Sequence, residues 1–103
     1  DGDFFVEVDV NDLRVNANGL SRFYLKGRAN NTIFAIYDSD VIIEASQLEV
    51  QNLLVSHRGT NLMTVNPQNA IRGKIFGIGN VISVNRPTVV EVEELFTGRL
   101  IFQ

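Results

Sequence analysis

Five times in 103 residues the chain writes a turn between two apolar bursts, at an interval of about twenty residues, and a constant interval restricts the folds open to it more than any other feature. "RGTNLMTVNP" (58–67) and "GIGNVISVNRP" (77–87) are near copies. Gly19, Gly59, Gly79 and Gly98 mark four of the turns, and Ser39 in "YDSDV" fills the gap one period after Gly19. The segments before the turns are "LRVNA", "IFAIY", "LLVSH", "GKIFG" and "VEELF", and those after are "RFYLK", "VIIEA", "LMTVN", "VISVN" and "RLIF". All are short, rich in β-branched and aromatic residues, and bounded by Gly, Asn, Asp, Ser or Pro, which is strand chemistry. No stretch of helical length survives this division.

Two strands per unit could form a meander of hairpins or the rungs of a coil. A shift of twenty residues superposes Leu13, Ile33 and Leu53, and likewise Val15, Ala35, Val55 and Ile75, while Val10, Val50 and Ala70 mark a third corner. Like residues on like residues is what a solenoid requires, because each coil buries its apolar face only against its neighbours. A meander needs no fixed period, and the second corners ("GRANN", "SQLEVQN", "NPQNA", "NRPTV") exceed the two-residue loops that hairpins favour. The asparagines gather at these bends, where they tolerate left-handed backbone and bond to neighbouring groups. The expected fold is therefore all-β: one domain over residues 1–103, a single-stranded right-handed parallel β-helix of about five coils.

Composition narrows the function. A formal charge of -3 and a charged fraction of 20% suit an ordinary globular surface and argue against a nucleic-acid partner. The apolar runs reach three or four residues, far below the roughly 20 of a membrane-spanning helix. No cysteine is present, which removes disulfides and thiolate metal sites. The start, "DGDFF", has no methionine and reads as a fragment or a mature form from which a leader or a preceding region has been removed.

The run "GNVISVNRPTVVEVEELFTGRLIF" resembles the end of the bacterial auto-transporter adhesin head domain, or GIN domain, formerly a domain of unknown function. The matching positions are Gly79, Asn80, residues 81–84, Asn85, Pro87, Gly98 and residues 100–102, and the turns at Gly59 and Gly19 extend the likeness back to about Asn11. Ser39 departs from the pattern in replacing a turn glycine, and the usual Gly-Ser turns are mostly replaced. The resemblance implies a single-stranded right-handed β-helix, secreted or envelope-attached in a Gram-negative bacterium, with no established biochemical activity.

Candidate chemical groups are sparse. His57 is the sole histidine, so neither a triad nor a zinc site has partners, and it reads as structural. Asp38 and Asp40 flank Ser39 but lack the remaining ligands of a calcium loop, and read as a solvated turn. Glu91, Glu93 and Glu94 raise a glycosidase reading, yet neighbouring strand residues point to opposite faces, so Glu93 and Glu94 do not share one. By parity Glu94 falls inward, which requires the last coil to bulge or open. The expectation is a non-enzymatic protein with no cofactor and no metal.

The apolar pattern is more informative. With Phe23, Val41, Leu62, Val81 and Leu100 inward, Tyr24, Ile42, Met63, Ile82 and Ile101 form an outward ladder, an interaction-surface candidate. Phe34, Leu54, Phe76 and Leu95 make a second outer set, and Tyr24, Phe34 and Tyr37 are candidate sugar platforms. The ladder is covered either by self-association into a small oligomer or by a preceding region, and a surface protein or glycan is the external partner considered. The expected function is a non-catalytic cell-surface or periplasmic adhesion domain, outside the cytoplasm. The alternative is a bactofilin-like scaffold that polymerises end to end through open terminal coils.

Overall fold

A computed structural model describes residues 2–17, 19–37 and 40–103. Seven strands, β1 (Gly2–Ala17), β2 (Ser21–Ile36), β3 (Ile42–His57), β4 (Met63–Ile75), β5 (Val81–Ser83), β6 (Val89–Glu94) and β7 (Leu100–Phe102), lie in one sheet. Every pairing is parallel. The order is β1-β2-β3-β4-β5-β7, with β6 also on β4, so the fifth coil is β5 plus β6 and β7 opens a sixth. The described residues thus form a solenoid of about five turns and include no helix, as the period predicts. In the third coil the inward positions are Val41, Ile43 and Ala45, then Leu48 and Val50, then Leu53, Val55 and His57. Alternation resets at 46–47 and 51–52, which divides the coil into three short faces.

The repeat is not uniform, and this relocates several columns. β2 lies 19 residues from β1 (Leu13↔Thr32), whereas β3 lies 20 and then 21 from β2 (Arg22↔Ile42, Lys26↔Gln47) across a bulge after Tyr24. β4 moves from 20 to 17 and 18 (Ile43↔Met63, Glu49↔Asn66, Asn52↔Ala70). Because the side-chain period is two, each odd slip exchanges inside for outside. Val15 stacks on Phe34 and Val55, not on Ala35, and Phe34 is wholly buried. Ile75 stacks on His57, and Ala70 on Asn52, while Pro67 takes the place below Val50.

Backbone chemistry fixes two tight points. Gly73, in β4, has φ +132°, and a Cβ there would lie 1.9 Å from the Val55 carbonyl oxygen; Gly27, in β2, repeats the arrangement against Val8. At the second bend Asn31 donates to Asp12, Asn52 to Asn31 and Asn69 to Asn52, a ladder of exposed amides one coil apart. Asn52→Ala removes a donor and an acceptor from it and is expected to cost about 1 kcal/mol, since each such bond contributes about 0.5–1.5 kcal/mol net. Urea unfolding with an unchanged m value measures this.

Candidate interaction surface

Register places the outward residues of the first face in one column, Phe5, Tyr24, Glu44, Thr64, Ile82 and Ile101. Three of the five expected ladder residues, Tyr24, Ile82 and Ile101, therefore share it. Ile42 points outward but stands beside Arg22, two residues before the rung of Tyr24 and Glu44. Met63 is in the core, 1% exposed, in line with Phe23, Ile43 and Val81, and Leu62 is the outward neighbour, 45% exposed. The continuous apolar ladder is thus interrupted by Glu44 and Thr64. Sequence reasoning missed Phe5, whose ring stacks on Tyr24 with centroids 4.7 Å apart and planes at 9°. The 19-residue interval between them was the available signal.

Beside this column runs a second, Glu7, Lys26 and Gln47, with the Glu7 carboxylate 3.8 Å from the Lys26 ammonium. A groove of about 490 Å³ lies between the two. Its floor follows the bulge, which supplies Ser46; the Glu44 carboxylate accepts from the Ser46 amide (2.9 Å) and hydroxyl (2.6 Å). The carboxylate is thereby oriented along the groove wall, with an apolar ring edge on one side and an ion pair facing it. Bulges beside a sheet surface commonly re-aim side chains in this way.

The other sequence candidates are dispersed. His57 is buried at the end of β3, with Nε2 2.8 Å from the Asn61 carbonyl oxygen and Nδ1 without a partner. Burial lowers its pKa from 6.5, only partly opposed by the backbone bond. Glu91 binds Arg72 at 2.7 Å on the exposed third face, and Glu93 is exposed. Glu94 stacks on Ile75 at an inward position, but the last coil is open there, and its carboxylate accepts from the Leu100 amide at 2.8 Å. Asp40 accepts from Thr60 and Asn61; Asp38 and Ser39 lie outside the described residues. Gly59, Gly79 and Gly98 are buried in the stacked turns and Gly19 is exposed. Among the described residues no group of three or more His, Cys, Asp or Glu is placed to hold a metal, and no helix is long and apolar enough to cross a membrane. Of the expected outer set, Leu54 and Leu95 are exposed, Phe76 is half-buried, and Phe34 is the exception. Tyr37 is exposed, so Tyr24 and Tyr37 keep an accessible ring and Phe34 does not.

No curated protein and no solved structure matches the chain. A family match covers residues 1–87, which includes only the first part of the run at 79–102 that carries the resemblance. The solenoid register nevertheless continues through β6 and β7. The chain belongs to the family described as "putative auto-transporter adhesin, head GIN domain".

Proposed function

We propose that this solenoid is a non-catalytic adhesion domain acting outside the cytoplasm, at the envelope of a Gram-negative bacterium, and that it engages its partner through the first face. The observation that carries the reading is the Phe5–Tyr24 stack, 76% exposed at Phe5, beside a groove whose carboxylate is already oriented. Large aromatic side chains held rigid at a surface contribute contact area at low entropic cost, which is why they dominate binding surfaces. A parallel coil supplies the rigidity, since each rung is fixed by the next. The family description supports the adhesive role. The partner is a surface protein, a glycan or a second copy of the chain.

Light scattering behind size exclusion over a hundredfold concentration range separates the last of these from the others. A fixed multiple of 11.5 kDa that reverts to monomer in Phe5→Ser/Tyr24→Ser places a second copy on the face. A monomer whose coated beads adhere to glycan- or matrix-protein-coated surfaces, with adhesion reduced at least tenfold in that variant, assigns the face to an external partner. Adhesion unaffected by the variant, together with unchanged mass, refutes the role of this face. What weighs against end-to-end polymerisation is the build of the edge formed by β6 and β7: strands of six and three residues, Glu94 at an inward position, and a buried Pro87 before β6, all of which discourage strand pairing.

A further inference from the structure

Among the strands longer than three residues, the sign of the charge alternates along the solenoid. β1 carries Asp3, Glu7, Asp9 and Asp12 against Arg14, β2 carries Arg22, Lys26 and Arg28 without an acid, and β3 carries Glu44 and Glu49 without a lysine or arginine. β4 returns to Arg72 and Lys74, and β6 to Glu91, Glu93 and Glu94. Register makes neighbours of these groups: Asp3 stands opposite Arg22, Glu7 opposite Lys26 and Asp9 opposite Arg28, then Arg28 opposite Glu49, Arg72 opposite Glu91 and Lys74 opposite Glu93. Two of these are ion pairs, Glu7 with Lys26 at 3.8 Å and Glu91 with Arg72 at 2.7 Å. Opposite charges on adjoining strands favour pairing and like charges oppose it. Each charged strand thus stands beside one of the other sign.

β1 has such a neighbour on one side only, because among the described residues it pairs with β2 alone. Its other side is an edge 16 residues long and free of proline. Asp3, Glu7 and Asp9 lie in line with the exposed Arg22, Lys26 and Arg28, so they point outward and do not obstruct a further strand, as inward charges would. The inward side chains are left partly uncovered. Val6 and Val10 are each 39% exposed, whereas their partners in β2, Leu25 and Ala29, are buried, and Phe4, 45% exposed, has the Phe23 ring on one side only. What this edge lacks is a basic strand with apolar residues between its charges. A second copy does not supply one, since its terminal strands are the acidic β1 and β6 and the three uncharged residues of β7.

We propose that the free edge of β1 takes up an extended segment of a partner protein, in which lysine or arginine alternates with apolar residues, as one further strand of the solenoid. Its basic side chains stand beside Asp3, Glu7 and Asp9, and its apolar ones cover Phe4, Val6 and Val10. The paired side of β1 shows the chemistry that this strand accepts: "SRFYLKGRA" (21–29) places Arg22, Lys26 and Arg28 outward and Phe23, Leu25 and Ala29 inward. The backbone edge and its charges hold the segment, so the proposal stands apart from the adhesive role of the groove.

The probe is a labelled synthetic peptide with the sequence of residues 21–36, added to the unmodified chain and followed by fluorescence anisotropy and amide hydrogen exchange. Binding with a micromolar Kd is expected, with exchange slowed within residues 2–17, and a peptide of the same composition in shuffled order is expected to bind at least tenfold more weakly. Asp3→Asn/Asp9→Asn should weaken binding at least tenfold. Glu91→Gln/Glu93→Gln, at the opposite end of the coil, should leave it within twofold. All four side chains are exposed, and circular dichroism verifies the fold of each variant. No binding, equal binding of the shuffled peptide, or equal losses in the two variants overturns the proposal. Amides of β1 that become protected without peptide as protein concentration rises overturn it in favour of a second copy, and amides protected at every concentration in the natural protein overturn it in favour of a segment of the same chain.

Discussion

Gly73→Ala is expected to destabilise the domain by at least about 3 kcal/mol, enough to leave little folded protein if the total stability is near the low end of the usual 5–15 kcal/mol. Two independent costs combine at this position. The backbone angle of +132° belongs to a region that L residues rarely adopt, at about 1–3 kcal/mol. The new Cβ would also lie 1.9 Å from the oxygen and 2.8 Å from the carbon of the Val55 carbonyl, which is backbone and cannot rotate aside. Relief requires β3 and β4 to separate, and Val55 is core, so the cost spreads into packing. Gly19 provides the comparison: φ is +88° but an added Cβ would meet no atom within 4 Å, so Gly19→Ala should cost about 1 kcal/mol, the conformational part alone. Thermal and urea unfolding of the two variants, with far-ultraviolet circular dichroism, measure the difference.

Neither Gly73 nor Gly27 is a turn, and this explains why the sequence does not announce them. The glycines legible in the chain were those at the twenty-residue interval, since a turn residue recurs whenever a coil closes. A glycine within a strand answers to the carbonyl of the coil beside it, and that contact depends on register. Register is where the period misleads: turn 37–41 is one residue longer than its counterparts in register, the bulge after Tyr24 adds another, and the second bend of the fourth coil omits residues. These changes nearly cancel over the whole chain, so the coil count and the parallel architecture survive them. They do not cancel locally. Phe34 moves inward and Met63 joins the core because one slipped residue turns a strand over.

The candidate surface was legible to the same degree. Tyr24, Ile82 and Ile101 share a column because the intervals between successive coils there, 20, 20, 18 and 19 residues, add up to the spacing of those residues, whereas Ile42 pairs with Arg22 on the preceding outward rung. Glu44 could not be recognised as a wall of the groove, because its orientation comes from Ser46, which the bulge brings beneath it.

Acidification is expected to destabilise the fold through His57. Its ring is wholly buried at the end of β3, Nε2–H donates to the Asn61 carbonyl, and Nδ1 has no partner that could accept a proton's charge. Desolvation by burial accordingly lowers the folded pKa below 6.5. Between the folded value and 6.5 the unfolded chain binds more protons than the native one, so stability rises with pH across that window. The contribution is complete above about 6.5 and is lost as pH falls toward the folded value, at up to about 1.4 kcal/mol for each pH unit traversed. His57→Gln preserves a donor near the position of Nε2 and removes the titration. Urea midpoints from pH 7.5 to 5.0 should therefore fall more steeply for the unmodified chain than for His57→Gln. Parallel curves would locate the acid sensitivity in the carboxylates instead, because the buried imidazole is the one histidine in the chain and the variant differs in nothing else that titrates in this range.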